Sequence, residues 1–117
     1  MIARYREPVN PKVSIIILHL NNILCLVDCI SSLNKISYPN FDIFVVHNGV
    51  KSNALPDALA QLSQHIAEII DTGDNIGFSG GNNVGIRQAL EKGADYVLLL
   101  NDDTEVSKDF LDRKSVV

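Results

Sequence analysis

Continuous apolar runs alternate along the chain with segments in which apolar residues recur at helical spacing. Residues 13–18, VSIIIL, form an almost continuous apolar run rich in β-branched residues, which is typical of a strand that is covered on both faces. The same reasoning predicts strands at residues 42–46, 67–70 and 96–100, the last of them also buried. We therefore expect several short strands separated by longer segments.

Helical spacing predicts a helix in each of the three intervening segments, at residues 24–34, 56–65 and 82–92. In the third helix, Val84, Ile86 and Leu90 would partly face the core. Gly93 would end that helix. Strands that alternate with helices of this length form βαβ units, so the predicted fold class is α/β with a mostly parallel sheet.

Ligands of such sheets bind beyond the carboxyl ends of the strands, where this chain has four polar clusters. The clusters are His19 with Asn21 and Asn22, then residues 47–49, 71–81 and 101–103. The glycine-rich part of the third, NIGFSGGNNVG at 75–85, permits a close backbone approach and leads into a helix whose free N–H groups could meet a phosphate or a sugar hydroxyl. As lone histidines, His19 and His47 are more often simple rim residues than functional ones.

The cluster after the fourth strand suggests a cation site. Side chains alternate along a strand, so Asn101 and Asp103 would point one way and Asp102 the other. Carboxylate and carbonyl oxygens suit a hard cation such as Mg or Mn, which can bridge the oxygens of a diphosphate. The alternative is that Asp103 and Thr104 merely begin the next turn.

Other motifs carry less weight. Residues 77–81 fit the G-x-S-x-G elbow of hydrolases, but Ser79 trails its strand and no His follows it in the chain. Neither the dinucleotide fingerprint nor a P-loop is present. Cys25 and Cys29 share a helix face and are interpreted as small core residues, not as a disulfide or zinc site.

Composition limits the remaining possibilities. The 117 residues suit one domain, and 46% hydrophobic with 21% charged residues is typical of an ordered globular protein. A net charge of −4 gives no electrostatic footprint for nucleic acid. The N-terminus lacks a signal peptide, and the longest apolar run, 13–20, is far short of the roughly 20 residues of a membrane-spanning helix. A cytoplasmic protein without a transmembrane segment is expected.

Together these segments resemble the family 2 glycosyltransferases, and especially their rhamnosyltransferase-like branch. The similarity covers residues 13–111 and is carried by VSIIIL, by YPNFDIFVVHNG and by NIGFSGGNNVGIRQALEKGADYVLLLNDDTEV. It implies a Rossmann-like GT-A fold that passes a sugar from a nucleoside diphosphate donor, UDP- or dTDP-linked, to an acceptor hydroxyl with inversion. It further implies a saccharide or lipid-linked acceptor and a role in cell-surface polysaccharide biosynthesis. The expected location is the cytoplasm, including peripheral attachment to the inner face of the membrane.

The resemblance also assigns site residues. Asp103 would hold the metal, Mg or Mn, and with it the diphosphate. The donor-binding residues would be Asn21, His47, Asn48, Asn75, Gly77, Gly81, Asn83, Asn101 and Asp102. Two positions depart from the family: His47 replaces an Asp that contacts the nucleoside base, and Val50 replaces a Ser.

The resemblance covers only the donor half of the family's domain. It divides the chain into an N-terminal extension, 1–12, and a donor-binding half-domain, 13–117. Because the family's catalytic base lies well downstream of the metal motif, we expect it beyond Val117, and we expect this chain to be an incomplete, truncated enzyme that is inactive alone. An uncovered sheet face would favour self-association. The alternatives are a non-catalytic nucleotide-sugar-binding or interaction module and, less favoured, a sugar nucleotidyltransferase.

Overall fold

The structure, a computed structural model, describes residues 10–49 and 54–111. Within these residues, strands and helices alternate in the order β1 (Val13–His19), α1 (Ile23–Leu33), β2 (Phe41–His47), α2 (Ala54–Leu59), β3 (Ile66–Asp71), α3 (Gly77–Glu91) and β4 (Tyr96–Asn101). The four strands form one sheet in the order β3-β2-β1-β4, and every pairing is parallel. The predicted α/β class with a parallel sheet is confirmed.

The two faces of the central strands are buried in different clusters. On one face, Ile15 and Ile17 of β1 pack with residues of α1 and α2, including Leu26 and Leu59. On the other face, Ile16 packs with Phe44 and Val46 of β2 and with Ala89 of α3. Alternate residues of a strand point to opposite faces, which explains why the strand is apolar on both faces apart from Ser14, whose hydroxyl donates to Asp42.

Helix α3 begins earlier than the sequence predicts. It starts at Gly77, whose φ of +84° glycine adopts without steric cost, so the glycine-rich stretch forms the first turns of the helix and not a loop before it. Two of its glycines lie against the sheet. A Cβ on Gly81 would be 2.5 Å from Leu18 Cδ1, and a Cβ on Gly85 would be 2.5 Å from Ile16 Cγ2. Close packing on β1 therefore explains glycines in a helix that they would otherwise destabilise.

Three further predictions of local structure are wrong. Helix α2 was predicted to run to residue 65 but ends at Leu59. The chain turns there, and the Leu62 N–H donates to the Leu59 carbonyl. Leu90 was predicted to face the core in part, but it is 58% exposed. The fourth strand was predicted to be buried, but its Leu99 is 44% exposed. The reason is the place of β4 at the edge of the sheet, since α3 packs mainly over β1 and β2 and leaves the outer strand half covered. The predicted end of α3 is confirmed, with Gly93 at a φ of +89°.

Candidate functional site

The carboxyl ends of the four strands meet at one edge of the sheet. His19 is the register partner of His47, and His47 is the partner of Asp71. The end of β4 lies on the other side of β1, because Asn101 is the partner of Leu18. The polar clusters that follow the strands are therefore gathered in one place, as the sequence predicts.

Two imidazole–carboxylate pairs lie at this edge. His19 Nδ1 is 3.0 Å from Asp102 Oδ2, and His47 Nδ1 is 2.9 Å from Asp71 Oδ1. Both histidines lie at the rim of the sheet, but they are buried, with 3% and 7% of their surface exposed. Because a carboxylate only accepts hydrogen bonds, each Nδ1 carries a proton and donates it to the neighbouring carboxylate.

The two imidazoles line a common cavity of about 310 Å³. Their ring centroids are 5.7 Å apart and their planes are tilted by 30°. The other lining residues come from the start of α1 with the turn before it, and from α2: Leu20, Asn21, Ile23, Leu55 and Ala58. This space, the imidazole cavity, combines apolar walls with a small number of polar atoms, which is the usual character of a pocket for a small organic ring.

A second cavity of about 290 Å³ adjoins the first, because Leu20 and Asn21 line both. Its other lining residues are Leu18, Asn22, Asn48, Asn75, Phe78 and Asp102. We call it the asparagine cavity. Its side-chain amides and its carboxylate are groups that hydrogen-bond sugar hydroxyls and other polar ligand atoms.

Asn48, at the end of β2, ties this edge to the start of α3. Its Nδ2 donates to Asn75 Oδ1 at 3.2 Å and to the Gly77 carbonyl at 3.0 Å. Its Oδ1 accepts from the Ile76 N–H at 3.1 Å and from the Thr72 hydroxyl at 3.2 Å. Asn48 is buried, so these bonds hold the loop that carries Asn75 against the sheet. The residue positions the site more than it presents free polar atoms to it.

The cluster after β4 differs from the predicted geometry. The strand ends at Asn101, and the Thr104 N–H closes a turn by donating to the Asn101 carbonyl at 3.1 Å. The expected alternation of Asn101, Asp102 and Asp103 is therefore wrong, because strand geometry does not continue past Asn101. Asp102 faces the asparagine cavity, whereas Asp103 is exposed and has no hydrogen bond or ion pair with a described residue.

The acidic residues here fit only one kind of metal site. Among the residues that the structure describes, no group of three or more His, Cys, Asp or Glu side chains is arranged to hold a metal ion. Asp102 is bonded to His19, which leaves the carboxylate of Asp103. One carboxylate suffices for Mg²⁺ when phosphate oxygens and water supply the other ligands. The donor set thus fits a hard cation that binds together with a diphosphate, and it does not fit a cage built by protein alone.

Cys29 faces the same turn but is not a nucleophile. Its Sγ is 3.8 Å from the Asn101 carbonyl. Burial, reinforced by the charges of Asp102, Asp103 and Glu105, raises the pKa of the Cys29 thiol to about 12. Such a thiol stays protonated at neutral pH and is unreactive. Cys29 is a buried core residue, as predicted, whereas Cys25 is only half-buried.

The structure brings together most of the residues that the sequence singles out. Asn21, Asn48, Asn75 and Asp102 line the asparagine cavity, and His47 lines the neighbouring one with Asn21. The other four assigned donor residues, Gly77, Gly81, Asn83 and Asn101, line neither cavity. Gly81 packs from α3 against Leu18 and Asn48, and Asn83 and Asn101 are exposed. Gly77 is bonded to Asn48 and to Asn75.

Sequence reasoning missed Asp71 and underrated His19. Asp71 ends β3 as His47 ends β2, so a correct strand order would have suggested their pairing. Without that order, an Asp at the start of a polar loop carries no signal of its own.

In the described part of the chain, no helix has the length and apolar character needed to cross a membrane.

The fold is similar to that of solved structures of TarS from S. aureus. The crystal structure of TarS from S. aureus superposes with a TM-score of 0.74 at 21% sequence identity, covering 90% of this chain and 19% of TarS. Residues 1–349 of the same protein, crystallised in complex with UDP-GlcNAc, give a TM-score of 0.74 at 20% identity, covering 90% of this chain and 30% of that one. At this level of identity the likeness shows a shared GT-A, Rossmann-like fold.

Relatives by sequence are much longer than this chain. The low-salt glycan biosynthesis hexosyltransferase Agl10 of Haloferax volcanii is 42% identical over 62 residues, which is 51% of this chain and 20% of that protein. An uncharacterized protein of Mycobacterium tuberculosis, Rv1525, is 44% identical over 39 residues, which is 33% of this chain and 15% of that protein. The chain thus spans a fifth or less of these relatives.

The sequence profile of glycosyl transferase family 2 matches residues 14–113, which include the residues that line both cavities and all of the sheet except the first residue of β1. The all-parallel sheet with its alternating helices agrees with the fold of the solved structures. The chain therefore belongs to glycosyl transferase family 2.

Proposed function

We propose that this chain is the donor-binding part of an enzyme that transfers a sugar from a nucleoside diphosphate sugar to an acceptor hydroxyl with inversion. The observation that carries the proposal is the pair of adjoining cavities at the carboxyl edge of the sheet, one with apolar walls and imidazoles and one with amides. A nucleotide sugar has the matching division into a flat base and a polar remainder. The complex of TarS with UDP-GlcNAc supports this class of donor.

In this proposal the base enters the imidazole cavity, while the ribose and the diphosphate lie toward the asparagine cavity. Asn21 belongs to both cavities and is exposed, so its amide is placed to bond the ribose between them. Asn48 does not contact the donor directly in this proposal, because both of its amide atoms are already bonded to the protein. It holds the start of α3, whose free N–H groups favour negative charge.

Asp103, which lies in the turn after β4, would hold a divalent cation. Mg or Mn bound there would neutralise charge on the leaving diphosphate, which is the chemistry the metal supplies. Asp103 is exposed and makes no hydrogen bond or ion pair with a described residue, which supports this role over that of Asp102. Asp102 instead orients His19 and places one carboxylate oxygen at the asparagine cavity.

The acceptor side of the reaction is proposed to lie outside the described residues. We retain the prediction that the acceptor is a saccharide or a lipid-linked saccharide. Assignment to the rhamnosyltransferase-like branch, a cytoplasmic location and self-association likewise stay predictions. The donor half is therefore tested by binding and not by turnover.

The test is calorimetric titration of the chain with UDP- and dTDP-sugars, with and without Mn²⁺. We expect metal-dependent binding that weakens at least about tenfold in Asp103→Ala, the loss expected when a charged group loses its partner. Glu91→Ala is the matched control, since it removes an exposed carboxylate at the far end of α3. Binding of equal strength in Asp103→Ala and Glu91→Ala would refute the metal assignment. Absence of binding to any nucleotide sugar would refute the proposed function.

A further inference from the structure

We infer that His19 is a positioning residue for the proposed cation site: its bond to Asp102 fixes the turn after β4 and so holds the carboxylate of Asp103 in place for the cation. The inference rests on the proposed function, because Asp103 is expected to bind a cation only together with a nucleoside diphosphate. It deepens that function by assigning a role to a buried side chain that is not itself a ligand of the cation.

The bond between His19 and Asp102 continues the pairing of β1 with β4 by one position. The backbone register of these two strands ends with Leu18 and Asn101. His19 and Asp102 follow them directly, and His19 Nδ1 is 3.0 Å from Asp102 Oδ2. A carboxylate only accepts hydrogen bonds, so Nδ1 donates whether the ring is neutral or charged. A side-chain bond thus joins the two segments at the first position where the backbone ladder has stopped.

The turn has few other attachments. The bond that closes it, from the Thr104 N–H to the Asn101 carbonyl, lies within the turn itself. The next attachment along the chain is the bond of the Val106 N–H to α1, at 3.1 Å. For residues 102–105, the bond to the imidazole is the only hydrogen bond or ion pair with another element that the described part of the structure contains. The position of the turn therefore depends on this bond.

His19 is itself firmly held, whereas Asp103 is not. His19 is 3% exposed, and its carbonyl accepts a hydrogen bond from the Asn48 N–H at 2.7 Å. Asp103 is exposed and makes no hydrogen bond or ion pair with a described residue, so the backbone of the turn determines where its carboxylate lies. A ligand that is already held in place loses less conformational freedom when the cation binds. Residues that orient a metal ligand accordingly contribute about 10–100-fold to the affinity for the metal.

The first test measures the affinity of UDP by calorimetry with and without Mn²⁺ and takes the ratio of the two affinities as the strength of the cation site. His19→Leu keeps a buried apolar side chain but removes the donor, so we expect this ratio to fall about tenfold. His19→Asn places an amide N–H at the position of Nδ1, so the bond to Asp102 can form again and the ratio should recover. The smaller Asn side chain would not reverse an effect of lost buried volume.

His47→Leu is the matched control. It makes the same exchange in the same cavity and also breaks an imidazole–carboxylate bond, but that bond leads to Asp71 at the end of β3 and not to the turn after β4. This variant should weaken UDP binding equally with and without Mn²⁺. Its ratio should therefore stay that of the unmodified chain.

The second test needs neither metal nor nucleotide. Hydrogen exchange of the Thr104 amide, followed by NMR, reports the opening of the turn that this amide closes. We expect exchange to be about tenfold faster in His19→Leu than in the unmodified chain or in His19→Asn, the equivalent of one lost hydrogen bond. The Leu62 amide closes the turn after α2 by donating to the Leu59 carbonyl at 3.0 Å, and it should exchange at the same rate in all three.

The outcomes separate this inference from the proposed function. A ratio that is unchanged in His19→Leu, or that falls as far in His47→Leu, overturns the inference and leaves nucleotide binding intact. Unchanged Thr104 exchange in His19→Leu overturns it as well. If Asp102→Ala abolishes the ratio while His19→Leu keeps it, Asp102 is itself a ligand of the cation and the inference is wrong. An unmodified chain that binds no nucleotide refutes the proposed function, and with it the role of His19 toward the cation, whatever the exchange of Thr104 shows about the turn.

Discussion

The packing of α3 against the sheet makes a sharp prediction at Gly85. An Ala side chain there would place its Cβ 2.5 Å from Ile16 Cγ2 and 2.9 Å from Val46 Cγ2. Both neighbours are fully buried, β-branched and set in central strands, so neither can move aside. The helix would have to lift from β1 and β2.

The size of the effect follows from two opposing contributions. Replacing Gly by Ala within a helix stabilises it by about 1 kcal/mol. Overpacking a well-filled core costs about 1–3 kcal/mol, and the contacts at Gly85 lie at the severe end of that range. We expect Gly85→Ala to lower the free energy of unfolding by about 1–2 kcal/mol, which moves the urea midpoint down by about 1 M at the m-value of a small domain.

Gly80→Ala in the same helix is the matched control. A Cβ there would be 3.2 Å from Ile76 Cγ1, and the Ile76 side chain, whose residue is 48% exposed, can rotate away. The gain in helix propensity should then dominate, so this variant should be as stable as the unmodified chain or more so. The assay is urea unfolding followed by circular dichroism. If Gly85→Ala raised the midpoint as Gly80→Ala does, the close packing of α3 on the sheet would be wrong.

Two further predictions concern stability. Asn48→Ala should lower the free energy of unfolding by about 1–3 kcal/mol, because it leaves the Ile76 N–H and its neighbours unpaired. Asn34→Ala removes one bond of an exposed side chain to the Leu62 carbonyl and should cost less in the same urea assay; equal losses would contradict the positioning role of Asn48. Burial raises the pKa of Cys29 from its ordinary value of 9.0 to about 12, so the folded state disfavours the thiolate. This contribution to stability is complete below pH 9 and is lost as the pH rises toward 12, so Cys29→Ala should lose less stability than the unmodified chain between pH 9 and 11 in paired unfolding curves.

Much of the fold could be predicted from local patterns. Residues 13–18 are apolar except for Ser14 because β1 lies at the centre of the sheet with a packed layer on each face, and that burial is visible in the sequence itself. The polar clusters after the strands were also predictable, since parallel strands place their carboxyl ends on one edge. Helix boundaries were less predictable. The start of α3 at Gly77 depends on close packing with Leu18 and Ile16, which no local propensity reports.

The composition of the site was decided by tertiary structure. The sequence alone identified His47 and Asp102 as residues at strand ends, because the alternation of apolar runs and polar breaks determines where each strand stops. It could not pair His47 with Asp71, or His19 with Asp102, since those contacts depend on the strand order β3-β2-β1-β4. Strand order arises from the way whole βαβ units pack, whereas periodicity records only which face of each element is buried. The chemistry of the two imidazoles is therefore a property of neighbours that lie far apart in the chain.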